Sequence, residues 1–119
     1  NAPPVIALLG ARARQGAAGT FELSLEWRCE RQAPLNYMLS VRLRDASGAQ
    51  LVARDLQPLL GGYPTSLWAP NELIADRVLL PLTEGRALLP SDQVEIVLYD
   101  RITLQAVGTA TLGVGDWGG

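Results

Sequence analysis

The sequence predicts an all-β fold, an antiparallel two-sheet β-sandwich with about seven strands. Short segments alternate apolar and polar residues with a period of two, which is typical of half-buried strands. Clusters of Gly, Pro, Asn, Asp and Ser separate these segments, and no segment has a 3.6-residue period of helix length. A small closed barrel is the alternative. The 119 residues suffice for one core, so we treat residues 1–119 as a single domain, excised from a longer protein.

The clearest strand pattern lies in residues 20–28 (TFELSLEWR). Its predicted inward side chains are Phe21, Leu23, Leu25 and Trp27. Residues 36–45 repeat the pattern, and the opening residues 4–13 (PVIALLGARA) are a candidate first strand. The predicted inward side chains of the second segment are Tyr37, Leu39, Val41 and Leu43. Both segments are therefore expected to line one core.

The later segments continue the strand pattern. Residues 45–50 (DASGAQ) have turn composition, so the strand after them is predicted to form a hairpin with the strand before them. Pro81 lacks a backbone N–H, which places its strand end at a sheet edge or a bulge. The remaining predicted strands are 50–56, 76–82, 93–100 and 104–112. Strands at this spacing favour an immunoglobulin- or fibronectin-III-like sandwich, followed by a flexible Gly-rich tail at 113–119.

Composition excludes several classes of function. A net charge of −2, and ten arginines spread from Arg12 to Arg101 without any lysine, argue against nucleic-acid binding. The chain has no His, which excludes a Ser-His-Asp triad, a His general base and His-containing metal sites within it. Cys29 is the single cysteine, so we expect a bland residue at a strand end. A reactive thiol would need a cation such as Arg28 or Arg31 beside it.

The acidic residues do not form a recognisable catalytic or metal-binding pattern. Residue type alone leaves a glycosidase-like carboxylate pair open, but Glu22 and Glu26 share an outer strand face and are expected to be solvated. Asp45 and Asp100 precede turns and are expected to cap them. No calcium-loop run or phosphate-binding glycine loop is present, and no apolar run reaches membrane-spanning length. We therefore predict no catalytic residues, no metal, no cofactor and no direct membrane insertion.

Residues 61–82 (GGYPTSLWAPNELIADRVLLPL) raise the question of what Trp68 does in so restrained a loop. Our main interpretation is a crossover between the sheets, in which Trp68 plugs one end and its indole N–H meets a carbonyl. Two glycines, 61 and 62, permit unusual backbone angles, while Asn71 and Asp76 close turns. The alternative is an exposed ring that stacks on a sugar or a peptide.

Three stretches carry a resemblance to a known family: VRLRDASG (41–48), PTSLWAPNELIAD (64–76) and VEIVLYDRITLQAV (94–107). Residues 36–107 resemble the β-sandwich that follows the membrane helices in bacterial polyprenyl-phosphate-sugar-dependent glycosyltransferases, the dolichyl-phosphate-mannose-protein mannosyltransferase-like group. This chain departs from that pattern in three places. It has Asn71 instead of Gly, LLPSDQVEI instead of PPGxYxL, and Ile102-Thr103-Leu104 instead of the Thr-Gly turn. The family's sugar-transfer residues lie in its membrane part and have no counterpart here.

Two classes of function stay open. The first is a non-catalytic, extracytoplasmic accessory or interaction domain of a membrane glycosyltransferase-like protein, with the parent's membrane domain as partner. The second is a carbohydrate-binding module with an aromatic platform from the 61–70 loop and a glycan as partner. Its candidate binding residues are Tyr63, Trp68 and Tyr99. A buried Trp68 removes the best ring of this platform, and the sequence does not determine the oligomeric state.

Overall fold

The computed structural model describes residues 5–17, 19–82 and 86–113, and for residues 108–110, 112 and 113 it describes the backbone alone. Within these ranges seven strands form two antiparallel sheets, which confirms the predicted β-sandwich. The strands are β1 (Ile6–Gln15), β2 (Thr20–Cys29), β3 (Tyr37–Arg44), β4 (Gln50–Leu56), β5 (Leu73–Pro81), β6 (Gln93–Asp100) and β7 (Ala106–Gly113).

The first sheet, sheet A, has the order β1-β2-β5, and the second, sheet B, has the order β4-β3-β6-β7. β3 and β4 form the predicted hairpin, and their turn is closed by Asp45, whose Oδ1 accepts the backbone N–H groups of Ser47 at 2.9 Å and Ala49 at 3.0 Å. Because β4 belongs to sheet B and β5 to sheet A, residues 57–72 are the crossover that the sequence predicts.

The core lies between the inner faces of the two sheets. All eight side chains predicted to point inward from β2 and β3 are buried, and β6 adds Val94, Ile96 and Leu98. Because each strand buries one face, a slip of one residue would turn its whole apolar set toward water. The alternation therefore specifies the pairing register of each strand as well as its extended conformation.

Three strands have bounds that differ from the prediction by more than one residue. β5 begins at Leu73 instead of Asp76, because Asp76 occupies an inward position and is buried there. Its Oδ2 accepts the backbone N–H of Leu59 at 2.9 Å, which satisfies the carboxylate. β7 begins at Ala106 instead of residue 104, because Leu104 lies in a left-handed turn with φ 61. β1 covers Ile6–Gln15 instead of 4–13.

Two further predictions concern the ends of strands and of the chain. Pro81 is the last residue of β5, an edge strand of sheet A, as its missing N–H predicted. The predicted tail at 113–119 lies outside the described residues except for residue 113, which ends β7. No helix within the described ranges is long and apolar enough to cross a membrane.

Candidate functional site

Trp68 lies in the crossover, directly after the second of two 3₁₀ turns, Pro58–Gly61 and Thr65–Leu67. Its side chain is 1% exposed, and its Nε1–H donates to the carbonyl of Tyr63 at 2.8 Å. The structural interpretation of Trp68 as a plug is therefore confirmed. Of the two glycines, Gly61 needs its left-handed backbone (φ 81), whereas Gly62 has an ordinary right-handed conformation, so that part of the prediction was wrong.

Thr65 joins the plug to sheet B. Its buried Oγ1–H donates to the carbonyl of Leu35 at 2.9 Å, and the same oxygen accepts the backbone N–H of Tyr37 at 2.9 Å. The loop is thus attached to the link between β2 and β3 and to the first residue of β3. A buried hydroxyl that both donates and accepts replaces the hydrogen bonds with water that it lost.

Asn71 and Glu72 join the other end of the loop to sheet A. The backbone N–H of Asn71 donates to Cys29 O at 2.7 Å, and the N–H of Cys29 donates to Glu72 O at 2.9 Å. The side chain that closes this turn is Glu72, whose Oε1 accepts the N–H of Ala69 at 2.8 Å, and not Asn71 as predicted. Asn71 contributes its left-handed backbone instead (φ 70), a conformation that Asn tolerates better than most residues.

Cys29 ends β2, as the sequence predicted, and the structure shows that its thiol is buried. Burial raises the pKa of its thiol, and the negative charge of Glu72 raises that pKa further. The guanidinium of Arg28, a cation proposed to activate it, is 2.6 Å from Glu30. Because the thiolate is the nucleophile, this environment opposes reactivity.

Tyr63 is half-buried beside Trp68, with ring centroids 6.4 Å apart and planes tilted by 40°. Its hydroxyl donates to Glu72 Oε1 at 2.7 Å. This hydrogen bond is the main cause that raises the pKa of Tyr63, and burial adds to it. The hydroxyl and part of the ring are therefore engaged within the protein.

Tyr99 lies on the outer face of sheet B, paired with Met38 of β3. Burial and the nearby charge of Asp55 raise the pKa of its hydroxyl. The structure records no ring contact for Tyr99 within the described ranges, whereas Tyr63 and Trp68 contact each other. The three candidate residues do not form one coplanar platform, because Trp68 has no exposed ring face. Glycan binding by Tyr63 and Tyr99 stays a prediction.

Exposed apolar side chains gather at the end of the sandwich that Trp68 plugs. The pairs Tyr37–Asp100 and Arg28–Leu73 place the β2–β3 link, the β6–β7 turn and the start of β5 at this end. It carries five of the eight exposed large hydrophobic residues within the described ranges, and we call these five the apolar end. They are Leu35 (40% exposed), Leu67 (62%), Leu73 (62%), Ile102 (80%) and Leu104 (72%).

The β6–β7 turn presents the two most exposed residues of the apolar end. Asp100 caps this turn as predicted, because its Oδ1 accepts the N–H of Ile102 at 2.8 Å. The N–H of Leu104 donates to the carbonyl of Asp100 at 2.7 Å, and Leu104 has φ 61. A left-handed Leu is strained by about 1–2 kcal/mol. Sequence reasoning missed Ile102 and Leu104 as contact residues, although apolar residues inside the turn RITL were the available signal.

The described ranges contain no group of three or more Cys, Asp or Glu placed to hold a metal ion. Glu22 forms ion pairs with Arg14 at 2.7 Å and with Arg77 at 3.5 Å on the outer face of sheet A. Glu26 lies exposed on the same face, as predicted. Surface pairs of this kind contribute about 0–1 kcal/mol, so they describe a solvated face and not a reaction centre.

No family model and no curated protein matches this chain. Among solved structures it is similar to part of a Bacteroides uniformis beta-glucuronidase, with a TM-score of 0.56 and 14% identity over 91% of this chain and 12% of that chain. A calcium-binding mutant of B. uniformis beta-glucuronidase 2 gives a TM-score of 0.56 at 15% identity, over 92% and 12%. The same enzyme bound covalently to cyclophellitol-6-carboxylate aziridine gives 0.50 at 15% identity, over 91% and 12%. The chain thus spans about an eighth of these proteins, and the likeness shows the fold alone.

Proposed function

We propose that this chain is a non-catalytic interaction domain whose apolar end packs against another folded part of a longer protein. The observation that carries this proposal is that, of the eight exposed large hydrophobic residues in the described part of the chain, five lie at one end of the sandwich. Contiguous exposed apolar surface marks interaction sites, because its removal from water contributes about 25 cal/mol per Å². The opposite end also has an exposed large hydrophobic residue, Leu89 (46%) in the β5–β6 link, so the contrast between the ends is one of number.

The fold comparison supports an accessory role. In the solved chains that it resembles, a sandwich of this kind is 12% of a protein named as a beta-glucuronidase. Together with the resemblance of residues 36–107, this supports an extracytoplasmic domain of a membrane protein that transfers sugars. At two of the three departures from that family's pattern, this chain keeps the backbone conformation that glycine would adopt. Asn71 and Leu104 have left-handed backbones where the family has glycine, which also supports the resemblance.

The strand order supports the finer assignment to an immunoglobulin- or fibronectin-III-like sandwich. In immunoglobulin domains the first, second and fifth strands share a sheet, and the third, sixth and seventh strands form the other. Here β1, β2 and β5 form sheet A, while β3, β6 and β7 belong to sheet B. The fourth strand differs from the constant-type arrangement, because it pairs with β3.

The test is protection of the apolar end in the full-length polypeptide. We would introduce Ile102→Cys and measure maleimide labelling in the isolated chain and in the full-length protein. The matched control is Ala46→Cys, an exposed position in the β3–β4 turn at the opposite end. We expect labelling at position 102 to slow by about tenfold or more in the full-length protein, since an interface that opens rarely limits access. If position 102 is labelled as fast in the full-length protein as in the isolated chain, as expected for the control position 46, the proposal is contradicted.

The alternative, a carbohydrate-binding module with a platform from the 61–70 loop, has less support. Its best ring, Trp68, is 1% exposed, and Tyr63 donates its hydroxyl to Glu72. Titration of neutral soluble glycans, with intrinsic fluorescence as the readout, tests it. A blue shift that Tyr63→Phe or Tyr99→Phe abolishes would support the platform.

A further inference from the structure

An open depression of about 720 Å³ lies over sheet A, beside the start of the crossover. All three strands of the sheet line it, and the first 3₁₀ turn of the crossover forms one wall. Two rows of paired residues cross its floor. They are Gly10–Glu26–Ala75 and Arg12–Ser24–Arg77. The depression therefore belongs to the outer face of the sheet, which the core does not use.

The floor of the depression is low because three of these positions carry small side chains. Gly10, Ser24 and Ala75 come from three adjacent strands. A register shift in β1 between Leu8 and Gly10 interrupts the regular pairing at this place. Bulges of this kind re-aim side chains beside functional sites. A flat ligand can thus approach the sheet backbone closely.

Two charged side chains at the depression have no ion pair or hydrogen bond within the described ranges. Arg12 and Glu26 are both exposed, whereas Arg14 and Arg77 on the same face pair with Glu22. Arg12 and Glu26 stand on a diagonal of adjacent strands, since Arg12 pairs with Ser24 and Glu26 with Gly10. A guanidinium without a partner is suited to bind a carboxylate through two parallel hydrogen bonds.

The wall of the depression is strained. Leu59 (φ 55, ψ 29), Leu60 (φ 54, ψ 31) and Gly61 (φ 81) are three consecutive left-handed residues. The hydrogen bond from the Leu59 N–H to the buried carboxylate of Asp76 holds this turn against the edge of β5. Leu60 is nevertheless 71% exposed. Strained non-glycine residues cluster at ligand-binding sites, and two of the three residues of this wall are strained leucines.

We propose that this depression binds an acidic saccharide, a sugar that carries a carboxylate. Arg12 receives the carboxylate, Ser24 and Glu26 exchange hydrogen bonds with ring hydroxyls, and Leu60 packs against the C–H face of the ring. The combination of one free cation, one hydroxyl, one carboxylate and an apolar wall matches an acidic sugar better than a neutral one. The site shares no residue with the apolar end, although Ala75 on its floor and Leu73 of the apolar end lie two residues apart on β5.

The experiment is an amide-resolved NMR titration of the chain with a glucuronate disaccharide. A neutral glucose disaccharide and N-acetylglutamate amide, a peptide-like carboxylate, are titrated in parallel. We expect weak, saturable shifts at residues 10–12, 24–26 and 75–77 with the acidic sugar, and smaller shifts with the other two. Equal response to the neutral sugar would overturn the role of the carboxylate, and equal response to the glutamate derivative would overturn the assignment to a saccharide.

Two variants and a matched control test the residues. Arg12→Gln should weaken binding by about tenfold, the usual effect of losing a charge-assisted pair. Arg101→Gln removes the same charge from the β6–β7 turn and should leave binding unchanged. Leu60→Gly relieves the left-handed strain, so it should melt at a higher temperature and yet bind more weakly. Unchanged affinity of Arg12→Gln, or of a Leu60→Gly variant that folds, would refute the proposal.

Discussion

Trp68 and Trp27 allow a matched test of what holds the plugged end together. Both indoles are buried, at 1% and 3% exposure. The N–H of Trp68 donates to Tyr63 O at 2.8 Å, whereas Nε1 of Trp27 has no hydrogen-bond partner among the described residues. Replacement by Phe removes a similar volume at each site. The two substitutions therefore differ mainly in the fate of one N–H group.

The magnitudes follow from that difference. Trp68→Phe loses a hydrogen bond worth about 1 kcal/mol and leaves part of the indole space empty, so the free energy of unfolding should fall by about 2–3 kcal/mol. Trp27→Phe leaves a similar space but also removes a buried donor without a partner among the described residues. That removal alone should raise the free energy of unfolding by about 1 kcal/mol or more. Its net loss should be about 0–1.5 kcal/mol. The order of the two variants is the prediction.

Urea unfolding followed by far-UV circular dichroism measures both losses without relying on tryptophan emission. With unchanged slopes, the midpoints give the difference in stability directly. Thermal midpoints should differ by roughly 3–5 °C per kcal/mol for a chain of this size. Equal losses, or a larger loss in Trp27→Phe, would refute the claim that the Tyr63 carbonyl anchors the plug.

Three further predictions concern single residues. Leu104→Gly should raise the free energy of unfolding by about 0.5–1 kcal/mol, because the relief of left-handed strain exceeds the entropy that glycine adds to the unfolded chain; chemical denaturation measures it. Hydrogen bonds from Ser47 and Ala49 lower the pKa of Asp45 below its ordinary value of 3.8. The ionised Asp45 carboxylate therefore stabilises the fold above pH 3.8, and this stability is lost as the pH falls through the folded pKa. Asp45→Asn should therefore lose less stability than the wild type between about pH 5 and pH 2, and parallel curves would contradict this. Cys29, buried and with a raised pKa, should react with a disulfide reagent at least about a hundredfold faster in urea than in the native state, and similar rates would contradict its burial.

The sheets could be predicted from the sequence because each strand buries one face. β2, β3, β4 and β6 fall within one residue of the segments read from alternation alone. The errors occur where one residue breaks the local rule for a distant reason. The predicted strand began at Asp76, yet β5 continues before it, and Asp76 is buried with the N–H of Leu59, 17 residues earlier, donating to its carboxylate.

The candidate site could be predicted only in part, because it depends on long-range contacts. A tryptophan between glycines and prolines favours a plug but also fits a platform. The choice is made by Thr65, which bonds to Leu35 and Tyr37 about thirty residues earlier in the chain. The sequence shows apolar residues inside the turn RITL but not the whole apolar end, since Leu35 and Ile102 share an end only after β3 pairs with β6.

The placement of left-handed residues links strain to the two proposed surfaces. The β1–β2 and β3–β4 turns, at the end opposite the plug, use Gly19 (φ 80) and Gly48 (φ 88), which adopt this conformation without strain. The crossover uses Leu59 and Leu60 beside Gly61 and Asn71, and the β6–β7 turn uses Leu104. Leu59 packs against the core, whereas glycine at position 60 or 104 would relieve strain and remove exposed apolar surface. We therefore expect Leu60 and Leu104 to make contacts that only an apolar side chain makes, as the two proposals state for a ligand at Leu60 and a neighbouring domain at Leu104.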